Sequence, residues 1–237
     1  MSKDIRIKKG LNINLVGAAE QTTSKAVLSN VYAIQLSDFH GITPKMIVKQ
    51  GAEVKAGEPL FYNKNMRDML FVSPVSGELV EIERGDRRRI LTLKILADKT
   101  QEAFAGAALD VEKASKGELK AALLKSGCWP FIKQRPYDVV ANPDATPKSI
   151  FISGYSSAPL QADLDYVLQG KEKELQAAIT ALGKLTPGKV HVAVSGSGNS
   201  PLTSLKGIEL HKVSGPHPAG LVGTHISKLD PINKGET

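Results

Sequence analysis

The residues best suited to chemistry lie in two short stretches, one near the middle of the chain and one near its end. The first, Cys128–Arg135, contains the only tryptophan, Trp129, together with Phe131 and Arg135. An apolar aromatic surface beside a cation could hold a planar or anionic ligand. A packed aromatic plug between domains is the alternative, because large aromatic side chains pack more often than they bind ligands.

The second stretch, Ser214–Ile226, is a loop rich in glycine and proline that follows a β-rich run. Loops after the strands of α/β proteins often carry binding sites. His217 lies in this loop, and an imidazole can donate a proton near neutral pH. The glycines match no phosphate-binding motif, however, and the prolines lack a backbone N–H. The loop is therefore interpreted mainly as a turn that closes a sheet, with His217 as a candidate ligand contact.

Other chemical patterns are weak. Ser195–Ser200 could form a backbone nest for a phosphate, but it lacks the full G-x-G-x-x-G and the lysine of a P-loop, which favours a plain turn. Five histidines and one cysteine, without metal-ligand spacing, predict no metal site. No Ser/His/Asp or paired-carboxylate arrangement indicates a hydrolase, and no catalytic residue is assigned.

Composition excludes several classes of protein. The 237 residues are 41% hydrophobic, which is enough for an ordinary buried core. The single cysteine, Cys128, and a charged N-terminus predict a cytoplasmic protein, and no apolar run is long enough to cross a membrane. The net charge of +7 favours anionic neighbours. Nucleic acid is not expected as a partner, because aromatics are only 5% and the basic cluster Arg84–Arg89 resembles a hairpin tip.

The first part of the chain, from Ile5 to about Ala97, is predicted to be all-β, with short apolar runs separated by turn residues. Gly51, Gly57 and Gly77 are expected in tight turns. The residues predicted to face the core are Val54, Leu60, Val80 and Ile82.

Two segments, Val48–Phe61 and Val72–Ile82, resemble the two halves of the biotinyl/lipoyl-like barrel-sandwich motif. A carrier domain of that family holds its modified lysine on an exposed hairpin between those halves. Lys64 falls in the right region but lacks the flanking residues, so the domain is expected to be unmodified and Lys64 to be a solvated hairpin lysine.

Between Thr100 and Lys125 the pattern becomes alanine-rich and helical. Ser115 and Glu118 have the spacing of a capping box, and the short helix that follows is predicted to end at Gly127.

From Lys148 onward, apolar runs of the buried-strand type alternate with helical spacing. The strands are predicted at Ile150–Ser153, Val190–Val194 and Ile208–Val213. The intervening helical pattern has its stop signal near Gly183. This order implies a parallel sheet in a Rossmann-like unit, with its ligand edge at the strand C-termini.

The predicted fold class is therefore α/β with β. It consists of an N-terminal barrel-sandwich domain over residues 1–99, a helical and extended connector over 100–147, and a Rossmann-like parallel α/β domain over 148–237.

The assembled features resemble the A subunit of the bacterial sodium-translocating NADH:quinone oxidoreductase. The resemblance rests on Ile5–Ile13, the Gly17-Ala-Ala-Glu20 that follows, the barrel-sandwich motif and Ser214–Ile226, and it runs the whole length of the chain. Its most specific piece is the G-P-H-P-A-G-L-V-G-x-H-I run. Members of that family are nearly twice as long, so the chain is expected to be an N-terminal portion without the C-terminal domains.

The resemblance implies a peripheral subunit on the cytoplasmic face of the bacterial inner membrane, without a transmembrane segment. Its expected partners are the other subunits of a six-subunit sodium pump, especially the membrane subunit that carries flavin. The complex uses NADH, flavins and an iron-sulfur centre, and quinone is its substrate; no cofactor is expected on this chain. Flavin-binding relatives carry a glycine-rich loop where this chain has Ser126–Ile132, with Gly127 as the only glycine and bulky Trp129, which argues against FMN.

Two hypotheses about the function remain, one for a subunit of an enzyme and one for a structural protein. In the first, the chain contributes to quinone reduction, with Trp129, Phe131, Arg135 and His217 as quinone-binding candidates, although the isolated chain is expected to be inactive. In the second, it is a cofactor-free structural adaptor that docks soluble and membrane subunits by charge and shape.

Overall fold

A computed structural model describes residues 3–17, 19–106 and 108–237. Ala18, in the Gly17–Glu20 run on which the resemblance partly rests, lies outside these residues. The structure divides into two compact units. The barrel unit contains Lys25–Asp110 and Ala114–Pro143, and the α/β unit contains the residues up to Ser24, Val111–Lys113 and Asp144–Thr237. Each unit is described by itself below.

The secondary structure follows the predicted order of a β-rich part and then an α/β part. The strands are β1 (Asp4–Arg6), β2 (Val31–Gln35), β3 (Pro44–Met46), β4 (Glu53–Val54), β5 (Pro59–Asn63), β6 (Met66–Val72), β7 (Gly77–Arg84), β8 (Ile90–Ala97), β9 (Lys133–Gln134), β10 (Val139–Val140), β11 (Ile150–Ser153), β12 (Val190–Ser195) and β13 (Glu209–Ser214). The helices are α1 (Lys116–Lys125), α2 (Leu164–Val167), α3 (Glu172–Leu185) and α4 (Val222–Leu229).

The barrel unit is built from antiparallel strands. One sheet has the order β2-β8-β7-β4 and another has the order β3-β5-β6, while β9 and β10 form a separate two-stranded ladder. Apolar side chains with no exposed surface fill its core, among them Leu60, Leu79 and Leu93. Phe61 stacks on Phe71 with ring centroids 4.4 Å apart. The predicted barrel-sandwich architecture is confirmed for this part of the chain.

The turns of the barrel unit occur where the sequence predicts them. Gly51, Gly57 and Gly77 all adopt positive φ, which glycine tolerates without steric cost. A 3-10 turn at Asp86–Arg88 joins β7 to β8, so the basic cluster is a hairpin tip as expected. Lys64 is exposed in the short turn between β5 and β6, which is the predicted hairpin position.

The predicted inward face of β7 is wrong by one residue. Val54 and Leu60 are buried as expected, but Val80 and Ile82 are only partly buried. Leu79 occupies the core instead, with no exposed surface. A register shift between Leu79 and Glu81 interrupts the pairing of β7 with β8. Because side chains alternate along a strand, one extra residue moves the neighbouring side chains to the other face.

Helix α1 begins and ends at the predicted signals. The Ser115 hydroxyl accepts from the Glu118 amide, and the Glu118 carboxylate accepts from the Ser115 amide, which completes the capping box. Gly127 lies just past the helix with φ +74°. A side chain at Gly127 would lie 2.6 Å from a methyl group of Val72, so this glycine serves helix termination and packing.

The α/β unit contains a four-stranded parallel sheet with the order β1-β13-β12-β11. The three strands predicted after Lys148 are confirmed. Strand β1 corrects the prediction that the chain from Ile5 belongs wholly to the all-β part, because Ile5 pairs with Val213 in this sheet. The partners are distant in sequence, and a three-residue strand carries no local signal for a partner so far along the chain.

The two faces of this sheet are covered by different segments. Val190, Val192 and Val194 pack with Ile179 of α3 and Leu202, which lies in the connection from β12 to β13. On the opposite face, Ala193 and Val213 pack with Ala219, which lies in the loop after β13. The loops that leave β12 and β13 therefore turn to opposite faces.

The helical pattern between β11 and β12 forms two helices, α2 and α3. Gly170, with φ +73°, lies between them. The helix stops near Gly183 as expected, because α3 ends at Leu185, two residues further along the chain. Leu185 is buried, and a side chain added at Gly183 would meet its nearest heavy atom, a methyl carbon of Val190, at 4.0 Å. The packing of Leu185 therefore outweighs the weak helix propensity of glycine at position 183.

The two units differ from the predicted division at 1–99, 100–147 and 148–237. The first residues of the chain join the α/β unit through β1, and most of the predicted connector joins the barrel unit. Helix α1 contacts β6, which explains why Ala114–Pro143 belongs with the barrel strands.

Candidate functional site

The carboxyl ends of the four parallel strands meet at one edge of the α/β unit. β1, β11, β12 and β13 end there at Arg6, Ser153, Ser195 and Ser214. Cavities of about 610 and about 530 Å³ lie beside the segments that follow these strands. The predicted ligand edge therefore has space for small molecules.

His217 is held at this edge by its backbone. The His217 N–H donates to Oδ1 of Asn12 at 2.9 Å. The His217 carbonyl accepts from the Leu11 N–H at 3.1 Å. A side chain at Gly10 would come within 2.0 Å of that same carbonyl oxygen. The segment Gly10–Asn12 thus lies directly against the loop and fixes the position of the histidine.

The His217 ring is oriented by Ser157. Its Nδ1 lies 3.1 Å from the Ser157 hydroxyl oxygen, which also accepts from the Gly220 N–H at 2.8 Å. The hydroxyl that accepts from Gly220 can donate its own proton to Nδ1, and in that tautomer the ring carries its proton on Nε2. His217 then has an Nε2–H donor for a ligand.

The 610 Å³ cavity adjoins this pair. Its lining residues are Asn12, Ile13, Asn14, Leu15, Gly17, Tyr155, Ser156, Ser157, Ala158 and Pro159. Asn12 and Ser157 both bond to His217, so the histidine lies next to the cavity wall. The lining surface is mostly polar, and Ile13 and Leu15 are its large aliphatic side chains.

Gly220 allows the loop to approach the strand-end segment closely. A side chain at this position would lie 2.1 Å from the Ser157 nitrogen and 2.6 Å from the Ser156 carbonyl carbon. The Gly220 carbonyl also accepts from the Ser153 hydroxyl at 3.2 Å. Only a residue without a side chain fits this contact.

Trp129 is packed within the barrel unit. Its relative exposure is 5%, and its indole N–H donates to the Ala141 carbonyl at 2.7 Å. The indole is therefore satisfied by the protein within this unit and has little surface for a ligand.

Phe131 and Arg135 are accessible in the same unit. Phe131 has a relative exposure of 77%. The Arg135 Nε lies 3.5 Å from a carboxylate oxygen of Asp138, and about a third of the arginine side chain is exposed. These two residues retain surface for a ligand, whereas Trp129 does not.

The four quinone-binding candidates are divided between the two units. Trp129, Phe131 and Arg135 belong to the barrel unit, and His217 belongs to the α/β unit. Within each unit the candidate residues have the surroundings given above.

Two backbone amides of the candidate nest at Ser195–Ser200 already donate hydrogen bonds within the protein. The Gly196 N–H donates to the Val213 carbonyl at 2.8 Å, and the Ser197 N–H donates to the Ser195 hydroxyl. A side chain at Gly198 would meet a carboxylate oxygen of Asp165 at 2.2 Å. A neighbouring carboxylate disfavours an anion at that end of the loop, so the segment is a turn rather than a phosphate nest.

A second pair of histidines lies on the sheet itself. His191 and His211 are joined by a ring hydrogen bond of 3.0 Å. Nδ1 of His211 accepts from the Lys3 N–H at 3.1 Å, so its proton must be on Nε2 and is donated to His191. The ring of His191 also stacks on Phe151 at 4.6 Å. Both rings are neutral in this arrangement.

We expect this pair to make the α/β unit less stable in acid. Burial lowers the pKa of His191 and of His211, and the pKa of His211 is lowered further by His191. The unfolded chain therefore takes up more protons below about pH 6.5, so the free energy of unfolding falls as the pH drops from about 7.5 towards 5. Urea unfolding followed by circular dichroism measures this loss.

The variant His211→Gln keeps an acceptor for Lys3 and a donor for His191. It is expected to lose less stability between the same two pH values than the unmodified chain. An identical loss in the two proteins would contradict the assignment to this pair.

His225 also has a packing role. Its Nε2 lies 2.7 Å from the Ala219 carbonyl, and Nδ1 has no hydrogen-bond partner among the described residues. Burial lowers the pKa of this imidazole, which keeps the ring neutral. Within residues 3–17, 19–106 and 108–237, no group of three or more His, Cys, Asp and Glu side chains could hold a metal ion.

The helices of the described residues fall short of a membrane span. None of them combines the length and the hydropathy needed to cross a bilayer.

Sequence reasoning missed the partners of His217. Gly10, Asn12 and Ser157 are common residue types at no recognisable spacing, so they carry no motif. Gly10, which lies outside any turn, was the available signal, because such a glycine often marks a close backbone approach.

Comparison with known protein families assigns both parts of the chain. Residues 5–98 match the family model described as the NqrA N-terminal barrel-sandwich hybrid domain. Residues 114–237 match the model described as the NqrA second alpha/beta domain.

Similar proteins are named as the A subunit of the Na(+)-translocating NADH-quinone reductase. The protein of Tolumonas auensis is 36% identical over 236 residues, which are 98% of this chain and 53% of the relative. Those of Yersinia pseudotuberculosis and Neisseria meningitidis are 34% and 33% identical, over 97% and 98% of this chain and 52% and 53% of each relative. The chain spans about half the length of the curated relatives it matches.

Proposed function

Since the chain belongs to the NqrA family, we propose that it acts within a sodium-translocating NADH:quinone reductase and contributes to quinone reduction coupled to sodium export. The observation that carries the proposal is the match of both units to successive domains of one family, together with relatives that align over nearly the whole chain. The chain is one subunit of that complex, inactive by itself.

In this proposal the partners are the other subunits of a six-subunit complex, above all the membrane subunit that carries flavin. The chain lies at the cytoplasmic face of the bacterial inner membrane and is attached through those subunits. NADH oxidation, flavins and an iron-sulfur centre belong to other subunits, and quinone is the substrate to which this chain contributes contacts.

The support for a quinone contact in the α/β unit is the arrangement around His217. Ser157 holds the ring by Nδ1, which leaves the Nε2–H as a donor for a quinone carbonyl. Ile13 and Leu15 give the neighbouring cavity apolar surface for a ring or an isoprenoid chain. A hydrogen bond to the carbonyl oxygen stabilises the negative charge that develops there as the quinone accepts electrons.

The support for a contact in the barrel unit is the exposure of Phe131 and Arg135. An exposed phenyl ring can stack on a quinone, and a guanidinium can donate to its carbonyl oxygen. Trp129 contributes by packing, because its ring is buried and its N–H is bonded to Ala141.

The proposed contact of His217 is tested by calorimetric titration of a water-soluble, short-chain quinone into the chain. Replacing His217 with alanine removes one hydrogen-bond donor, which is worth about 1.4 kcal/mol, and so weakens binding by roughly tenfold. The matched control is His40→Ala, because His40 is an exposed histidine of the barrel unit and should leave the affinity unchanged.

If His217→Ala binds as tightly as the unmodified chain, His217 is not a quinone contact. Loss of affinity in Arg135→Ala alone would instead assign the quinone to the barrel unit.

A structural adaptor is the second candidate function. Leu11, Ile13 and Val16 are exposed apolar side chains in a segment without regular secondary structure, and such surface favours contact with another protein. This role would replace the first if the chain bound no quinone yet still assembled with its partner subunits.

A further inference from the structure

The crevice between β12 and β13 lies where the connections that leave two adjacent strands turn to opposite faces of the sheet. The connection after β12 carries Leu202 to the face that holds Val192 and Val194. The loop after β13 carries Ala219 to the opposite face, against Ala193 and Val213. Such divergence leaves a gap outside the strand ends, which is where open α/β sheets bind ligands.

The cavity of about 530 Å³ occupies this position. It is lined by Ser195, Gly196 and Ser197 after β12 and by Ser214 and Gly215 after β13. Tyr155, which follows β11, contributes an aromatic side chain to the wall. The volume exceeds that of a single phosphate and lies within the range of about 300–1,000 Å³ that small-molecule sites occupy.

The charges around the cavity favour an anion. Arg6 and Lys212 both line it, and both are exposed. Neither side chain has a hydrogen bond or ion pair with any residue that the structure describes. Asp4 is the one acidic residue of the lining, so the lining carries a net positive charge.

The sheet register brings the two cations together. Arg6 pairs with Ser214 and Asp4 pairs with Lys212 on adjacent parallel strands, so Arg6 and Lys212 are diagonal neighbours on one face. Like charges at such positions repel each other. Asp4 is directly opposite Lys212 in the register but forms no ion pair with it among the described residues, so an anion bound between the two cations would remove their repulsion.

A hydroxyl group lies near the cations. Ser214 follows Lys212 on the same face of β13, whereas Ser195, whose hydroxyl oxygen lies 3.2 Å from that of Ser197, is on the face of Val213. Because the amides of Gly196 and Ser197 are already bonded within the protein, the donors here are side chains rather than backbone N–H groups. A guanidinium, an ammonium and a hydroxyl suit a group with three terminal oxygens better than a carboxylate with two.

We propose that this cavity binds a small phosphorylated ligand, with Arg6 and Lys212 as the charged contacts and the hydroxyl of Ser214 as a further donor on the same face of the sheet. The site uses other charged and polar residues than the quinone contact proposed at His217 and does not depend on it, although Tyr155 lines both cavities.

The test uses inorganic phosphate as the probe, titrated at constant ionic strength and followed by the amide resonances of the chain. Saturable shifts are expected at Ser195–Ser197 and at Lys212–Gly215. Arg6→Gln and Lys212→Gln should each weaken phosphate binding about tenfold, because each removes one charge-assisted contact. Lys173→Gln is the matched control, since Lys173 is an exposed lysine of α3 outside the cavity lining.

Two results would overturn the proposal. One is the absence of saturable shifts at these amides in the unmodified, folded chain at millimolar phosphate. The other is equal weakening by Lys173→Gln and Lys212→Gln, which would indicate a general attraction to a basic protein. The amide spectrum of each variant outside the cavity verifies that the fold is retained.

Discussion

Replacing Gly220 with alanine is expected to destabilise the α/β unit by about 3 kcal/mol, at the upper end of the range for overpacking. The new methyl group would lie 2.1 Å from the Ser157 nitrogen and 2.7 Å from the Ser156 Cα. Both atoms belong to the backbone, so no side-chain rotation relieves the overlap. The loop must move away from the strand-end segment, and the bond from the Gly220 N–H to the Ser157 hydroxyl is lost with it.

Gly223→Ala, three residues further along the chain, is the matched control for Gly220→Ala. The position lies in α4 and has no heavy atom within 4 Å of an added methyl group. Alanine there is expected to stabilise the helix by about 0.5–1 kcal/mol, because glycine is a poor helix former. Urea unfolding of both variants measures the difference, and equal stabilities would contradict the close approach of the loop to Ser157.

Replacing Trp129 with alanine is expected to cost about 3–5 kcal/mol of the stability of the barrel unit. The ring is almost completely buried, and the Ala141 carbonyl loses its indole donor. Phe131→Ala should change the stability by no more than about 0.5 kcal/mol, because the ring is exposed. Two aromatic residues only two positions apart therefore have opposite expected roles.

Hydrogen exchange of peptides from the barrel unit distinguishes these roles. Trp129→Ala should exchange faster throughout the core strands, and Phe131→Ala should exchange as the unmodified chain does. If Phe131 contacts quinone, its variant also binds the short-chain quinone more weakly without loss of stability. Unchanged protection in Trp129→Ala would contradict the packing role.

Local signals in the sequence predicted the local structure well. The capping box at Ser115 and the positive φ of Gly51 and Gly57 depend on residues within a few positions of each other. The parallel strands after Lys148 were predicted because a continuous apolar run indicates burial on both faces. These interactions need no information from elsewhere in the chain.

Long-range contacts could not be predicted in the same way. The pairing of Ile5 with Val213 joins segments about two hundred residues apart, and nothing in a three-residue strand specifies its partner. The register shift beside Leu79 is a single-residue event that hydrophobic alternation cannot reveal.

The candidate site was predicted in part. The residue type and the loop were enough to select His217 from the sequence. Asn12 and Ser157 could not be selected in this way, because only the fold brings them next to the His217 backbone and ring. Trp129 was singled out for its chemistry, and the structure buries it. Residue type identifies what a side chain can do, whereas burial and hydrogen-bond partners decide whether it is available.

The central claim is that this chain itself contributes contacts to quinone, and calorimetric titration of the unmodified chain with a short-chain quinone tests it most directly. We predict saturable binding of one quinone per chain. Heats that match dilution of the quinone into buffer, from a chain that is folded by circular dichroism, would contradict the claim.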